Sequence, residues 1–265
     1  MPLPRPNWTD PPCPRDGHAP PLEIWRLRLA RLGDDPDASL HPFTVPAEHR
    51  RARRYEHAAD RHRHLAGRGL ARLALSRRSD SAPRALSLDE GPHGKPQLRD
   101  GPPNRPPLHF NIAHTADLVV VAVSQAHPVG VDVEPQRRDA NIEALAQRVL
   151  TDAERARWRA APAAQRRALF LHLWTCKEAF LKATGRGLRR APDTIECRIK
   201  DGTVTELTDA ATHAPAPPDA AAGDWAVRPF AAGPQIAGAV VRQEVVPNSV
   251  GWHNGSPLLH RRPNV

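Results

Sequence analysis

Two short stretches hold residues whose types and spacing could do chemistry: Val129-Gly130-Val131-Asp132-Val133-Glu134 and Trp174-Thr175-Cys176-Lys177-Glu178-Ala179-Phe180-Leu181-Lys182. In a strand, side chains alternate between faces, so Asp132 and Glu134 leave the same one. In a helix, residues four apart stand one above the other, which stacks Glu178 on Lys182. If that strand end and that helix meet, three acids and a lysine converge, as a magnesium ion carrying a phosphate ester requires. The chain therefore reads as a phosphoryl-group enzyme.

Each feature also has an ordinary structural explanation. An acid-x-acid pair often forms the exposed alternates of an edge strand. Here Val129, Val131 and Val133 bury the opposite face and Pro135 ends the run, so the acids sit at a strand terminus, where sites commonly lie. Glu178 and Lys182 have the order of a stabilising surface pair worth ~0.3–0.5 kcal/mol. However, Phe170, Leu173, Trp174 and Leu181 define an apolar stripe with Lys177 inside it and Glu178 at its edge. A lysine on a buried stripe needs an anion or a route to solvent. His114 alone would be a structural hydrogen bonder, Asn111 a turn former, Gly94-Lys95-Pro96 a loop tripeptide, and the Arg/His run from His49 to His64 a solvated basic helix face.

The elements that must position these residues follow from proline, glycine and periodicity. Residues 1–21 contain eight prolines, a composition that predicts an extended or disordered N-terminus. Alternation from Glu23 to Leu29 predicts a half-buried strand, and residues 46–78 predict amphipathic helices with a strongly basic polar face. Six prolines and three glycines between Gly91 and Pro107 mark an irregular connection. Strands are predicted at residues 108–112, 118–123 and 130–134, with His114 just after the first. Helices follow at residues 141–150 and 152–160, the second with Thr151 as N-cap and Glu154 three residues on. The strongest helix spans residues 165–184, closed by Gly185 and Gly187. Strand-like runs occupy residues 194–199, 203–207, 224–229 and 236–242; residues 210–218 read as a surface loop. The predicted division is 1–21 as a flexible N-terminus, 22–128 and 129–245 as two α+β halves of similar order, and 246–265 as a flexible tail.

The 265 residues carry 38 Lys+Arg against 29 Asp+Glu, a formal charge of +9 that suits an anionic partner. Cys13, Cys176 and Cys197 are odd in number and widely spaced, which predicts neither a disulfide framework nor a zinc site and fits a reducing cytoplasm. No signal pattern and no apolar run of membrane-spanning length is present, so the expectation is a cytoplasmic protein without membrane association.

In order and spacing, Gly94-Lys95-Pro96-x-Leu98, Phe110-Asn111-Ile112-Ala113-His114-Thr115, Gly130-Val131-Asp132-Val133-Glu134 and Trp174-x-x-Lys177-Glu178-Ala179-Phe180-x-Lys182-x-x-Gly185-x-Gly187-Leu188 resemble the motifs of the 4′-phosphopantetheinyl transferases of the surfactin-synthetase-activating type. The resemblance spans roughly residues 22–245. It implies an α+β pseudodimer of two similar halves, each a small antiparallel sheet packed with helices, with the active site between them. It implies a monomer that moves the phosphopantetheine arm of coenzyme A onto a serine of an acidic apo acyl, aryl or peptidyl carrier protein and releases adenosine 3′,5′-bisphosphate. Carried over residue by residue, it implies Asp132, Glu134 and Glu178 as ligands of Mg²⁺, with Mn²⁺ as the alternative. Glu178 would also accept the serine proton, and Lys182 would neutralise phosphate charge with help from Lys177. His114 would bind the 3′-phosphate of coenzyme A, with Arg51, Arg63 and His64 as further contacts, and Gly94, Lys95 and Pro96 would border the adenine. One departure is Ala113 where the family usually has serine; losing one hydroxyl contact to the 3′-phosphate predicts coenzyme A binding weaker by ~1 kcal/mol.

Two other classes compete. A basic, non-catalytic nucleic-acid-binding protein would explain the charge and the run from Arg50 to Arg63, but aromatics are 5% of the chain and no recognition motif for nucleic acid is present. A metal-dependent phosphohydrolase would need further metal ligands that the motifs do not supply.

Overall fold

The computed structural model describes residues 3–9, 20–79, 81–91, 94–99, 106–136, 141–185, 190–200, 203–209, 225–243, 246–247 and 249–255. The predicted loop at residues 210–218, Gly187 and Leu188, and much of both termini lie outside them. The chain is α+β and divides into two units, residues 7–126 with 247–265 and residues 1–6 with 127–246.

In the first unit, β1 (Leu22–Arg28), β4 (Leu108–Thr115), β5 (Leu118–Gln125) and β11 (Val250–Asn254) form a sheet in the order β11-β1-β5-β4. β5 is antiparallel to β1 and β4, whereas β11 lies parallel to β1. The 22-residue α3 (Ala58–Ser79) covers one face, where Leu65, Leu70 and Leu73 meet Trp25, Leu27, Phe110, Val119, Val121 and Val123. α1 (Pro36–Leu40), α2 (Pro46–Ala52) and the short ribbon β2 (Leu88–Glu90) with β3 (Pro96–Leu98) complete the unit.

Three sequence expectations change here. β1 is buried on both faces over Leu22–Trp25 rather than half-buried. His114 lies inside β4, not after it. The segment read as a flexible tail supplies β11: His253, 4% exposed, lies with its ring 4.6 Å from that of Trp25, and Arg26 Nε donates to Asn254 Oδ1 at 2.8 Å. A five-residue strand of mixed polarity has too few turns of alternation to announce itself. At the other terminus, within the segment predicted to be flexible, Thr9 forms a parallel bridge with His253, and Thr9 N donates to Trp252 O at 2.9 Å.

In the second unit, β6 (Val129–Pro135), β7 (Ile195–Lys200), β8 (Thr203–Asp209), β9 (Trp225–Gly233) and β10 (Ile236–Gln243) form an antiparallel sheet in the order β6-β10-β9-β8-β7. It too carries a 22-residue helix, α6 (Ala163–Thr184), which Gly185 ends in the left-handed conformation at φ 72°. α4 (Ile142–Val149) is capped by Asn141, and α5 (Asp152–Ala160) by the predicted Thr151–Glu154 capping box.

Glu154 does more than cap. Its carboxylate, 0% exposed, accepts from Thr151 N at 2.9 Å and Cys197 N at 2.8 Å, and from Lys177 Nζ at 2.5 Å. Lys177, also 0% exposed, completes its shell on Val149 O and Pro192 O. The anion that the apolar stripe demanded is therefore an internal carboxylate. This corrects the expectation that Lys177 contacts coenzyme A, because its three hydrogens are all engaged within its own unit. A buried pair broken on one side leaves an uncompensated charge. Lys177→Met is accordingly expected to lower unfolding free energy by ~3–5 kcal/mol, read from the urea midpoint; a loss below ~1 kcal/mol would show that Glu154 is not held by this contact.

Candidate functional site

In β6, Gly130, Asp132 and Glu134 share the face turned toward α6. A Cβ at Gly130 would stand 2.0 Å from Ala179 O and 2.4 Å from Ala183 N, so only glycine lets helix backbone and strand approach this closely. Farther along the same face, Asp132 Oδ1 accepts from Lys182 Nζ at 2.6 Å and Glu134 Oε1 accepts from Trp174 Nε1 at 3.0 Å. Residues 174, 178 and 182 are one helical turn apart each, so Glu178 stands on this helix face between the two residues that grip the strand acids. The structure thus sets Asp132 against Lys182 and Glu134 against Trp174 across one seam, with Glu178 on the helix turn between them. The seam residue that sequence reasoning treated only as apolar is Trp174, whose indole N–H orients Glu134.

Among the described residues, no three His, Cys, Asp or Glu side chains are gathered as a metal-holding group. The donor set nevertheless suits a hard dication. All three side chains offer carboxylate oxygen, and Asp132, 6% exposed, keeps Oδ2 buried with no hydrogen-bond partner. A buried, unpartnered carboxylate oxygen is costly unless a cation completes it.

The first unit gathers a separate, cationic group. Arg51 on α2 and Arg68 on α3 both contact Glu90 of β2, the latter at 3.4 Å. Register pairs Glu90 with Pro96, and Gly94, at φ 78°, makes the turn that donates Gly94 N to Gly91 O at 2.9 Å. The ribbon therefore sets Pro96, with the turn at Gly94 and Lys95 before it, beside the end of α2 and the middle of α3. Burial lowers the Lys95 amine to about 8. Arg63 donates to Asp60 at 2.6 Å and to Ala116 O at 3.0 Å, which ties α3 to the β4–β5 turn beside His114. Arg63 also holds the Asp60 carboxyl below its usual range, chiefly through that hydrogen bond.

His64 behaves unlike the cation its position suggests. Burial, then Arg68, Arg51 and His114, lowers it to about 4, and Nε2 is buried without a partner. At neutral pH it is an uncharged imidazole with hydrogen-bonding capacity toward an incoming group. Arg68 was missed in the sequence, although it lies one turn beyond His64 on α3. Ala113, 2% exposed, faces the opposite side of β4 from His114. A serine hydroxyl there would not stand beside the His114 ring, so the weakening expected from the lost hydroxyl does not follow from this geometry.

Cys176 and Cys197 are free and buried, and burial raises both thiols above their usual range. Among the described residues, no helix is long and apolar enough to cross a membrane.

Residues 128–229 match the family model described as the 4′-phosphopantetheinyl transferase superfamily, and residues 39–126 match 4′-phosphopantetheinyl transferase, N-terminal. The 4′-phosphopantetheinyl transferase HetI of Nostoc sp. is 33% identical over 64% of this chain and 70% of its own length. The 4′-phosphopantetheinyl transferase Sfp of Bacillus subtilis is 31% identical over 73% of this chain and 84% of its own. Among solved structures, the holo-[acyl-carrier-protein] synthase of Thermotoga maritima shares 23% identity at a TM-score of 0.34, covering 45% of this chain and 64% of that one, too distant to bear on the site. Two adjoining family matches, with relatives that span most of their own length, establish that this chain belongs to the 4′-phosphopantetheinyl transferase superfamily.

Proposed function

We propose that the chain transfers the 4′-phosphopantetheine group of coenzyme A to a serine of an apo carrier protein and releases adenosine 3′,5′-bisphosphate. The observation that carries this reading is the seam in which Asp132 and Glu134 of β6 meet Lys182 and Trp174 of α6, with Glu178 between them. Family membership favours it over the basic nucleic-acid-binding alternative, for which the arginine-rich surface was the main argument.

In the transfer, a bond forms between the serine Oγ and the phosphorus that bears the pantetheine arm. The bond from that phosphorus to the bisphosphate breaks, and the serine proton goes to Glu178. Lys182 offsets charge on the phosphate oxygens, and its contact with Asp132 holds its ammonium at the seam. A Mg²⁺ ion held by Asp132, Glu134 and Glu178, or Mn²⁺ in its place, would neutralise the diphosphate. His114, Arg51, Arg63 and His64 bind the 3′-phosphate, and Gly94, Lys95 and Pro96 border the adenine. Lys177 has no part in this scheme beyond setting the rotation of α6. The cationic surface suits an acidic carrier protein, and cytoplasmic action as a monomer accords with that partner.

Incubation with coenzyme A, Mg²⁺ and a panel of apo carrier proteins is expected to add one arm of ~340 Da to a carrier by intact mass, the mass of the transferred group in such a phosphoryl transfer; no addition to any carrier would refute the reading. Glu178→Gln removes the proton acceptor with little change of shape and is expected to slow transfer by about 10²–10⁴-fold while the thermal midpoint holds; normal turnover would exclude Glu178. His114→Ala is expected to raise KM for coenzyme A about tenfold or more, as loss of a charge-assisted contact implies, and to leave 3′-dephospho-coenzyme A nearly unaffected. Equal losses on both donors would remove His114 from the 3′-phosphate.

A further inference from the structure

A second concentration of positive charge lies in the first unit, apart from the Arg51–His64–His114 group. A cleft of about 440 Å³ is lined by His41, Thr44, Pro46, His49, Arg50, Arg53 and Arg84. Its volume falls within the range of small-molecule sites, roughly 300–1,000 Å³. Among the described residues, no acid lines it. This separates it from the group around His114, where Glu90 contacts Arg51 and Arg68, and Asp60 contacts Arg63. Like charges gathered in a concave space repel, and an anion relieves that cost.

The cleft is also built rather than incidental. Its two walls, α2 and the turn at residues 83–85, are joined by one buried side chain, Arg72, which is 3% exposed. Arg72 Nε donates to Glu48 Oε1 and Oε2 at 3.0 and 3.2 Å, and Glu48 in turn accepts from Val45 N at the start of α2. Arg72 Nη1 donates to Pro83 O at 3.0 Å and to Leu86 O at 2.6 Å, so the backbone on both sides of Arg84 is fixed. On the third side, Thr44 Oγ1 donates its hydrogen to Leu40 O at 3.0 Å and lies 2.8 Å from His49 Nε2. With its single hydrogen committed, the hydroxyl accepts from His49, which places a proton on Nε2 and fixes the ring.

We propose that this cleft is a binding site for a small polyphosphorylated anion, distinct from the site of transfer. Guanidinium forks match phosphate oxygens in pairs, and three of them around one concavity, with no competing carboxylate, suit two or more linked phosphates better than a single carboxylate. The proposal does not depend on the transferase reading.

Calorimetric titration of the full chain with inorganic tripolyphosphate, at fixed ionic strength and with sulfate as control, tests it. The Arg53 and Arg84 side chains are exposed, and neither makes a hydrogen bond or ion pair among the described residues, so Arg53→Gln/Arg84→Gln is expected to keep the thermal midpoint and the transfer activity while weakening tripolyphosphate at least tenfold, as two lost charge-assisted contacts imply. Arg63→Gln, in the other cationic group, is expected to leave this affinity within about twofold. The His41 and His49 ring resonances are expected to shift on titration in the wild type and not in the double variant. Unchanged affinity in the double variant, an equal loss in Arg63→Gln, or sulfate binding as tightly as tripolyphosphate would overturn the proposal. So would tight binding of an oligoglutamate peptide that tripolyphosphate does not displace, which would mark the cleft as a protein-docking surface.

Discussion

The candidate site rests on how closely α6 can lie against β6. Gly130 permits that approach, because any side chain there would strike the backbone of Ala179 and Ala183. With the axis this near, short acids on the strand reach the helix directly: Asp132 touches Lys182 and Glu134 touches Trp174. A larger residue at 130 would lift the helix and part these pairs before it altered any functional group. The glycine of the strand motif is thus a geometric requirement, and the acids two and four residues later depend on it.

Distance alone does not fix which helix face meets the strand. Lys177 and Glu178 are adjacent, so their side chains leave the helix about 100° apart. The Glu154 carboxylate captures Lys177 within the core formed with α5 and β7, which turns Glu178 toward β6. Two charged neighbours of similar appearance in sequence therefore have opposite tasks. One sets the rotation of the helix through a fully buried ion pair; the other stands at the seam with Trp174 and Lys182. The capping box that starts α5 contributes indirectly, since its glutamate is the same group that holds Lys177.

Much of this was legible in the sequence, for identifiable reasons. α5 and α6 were readable because their ends carry chemical marks, Thr151 with Glu154 and Gly185. β6 and β10 were readable because β-branched runs are bounded by turn residues. The acids at 132 and 134 and the helix residues at 178 and 182 stood out through spacing alone. What stayed hidden depends on partners distant in the chain. Nothing local in Lys177 says that its anion lies 23 residues earlier, nothing in Trp174 says that its N–H meets an acid 40 residues away, and β11 forms only because β1 offers a free edge. His64 reads as a cation in sequence, yet burial and the surrounding arginines make it neutral.

The same distinction sorts the arginines that give the chain its charge. Read along the sequence, residues 50–72 form one basic stretch, and a single explanation in terms of an anionic partner would cover all of it. In three dimensions the stretch separates by what each guanidinium meets. Arg72 is a buried strut between α2 and the turn at residues 83–85, while Arg63 and Arg68 lie against acids beside His64 and His114. Arg50 and Arg53 instead line, with Arg84, a cleft in which no acid stands among the described residues. Helical periodicity performs this separation, because residues 50 and 53 lie on one side of α2 and its extension while Arg51 lies on another. A net charge therefore says little about how a protein's arginines are used; the distribution of carboxylates among them says more, and here it divides one basic run into a strut and two differently furnished groups.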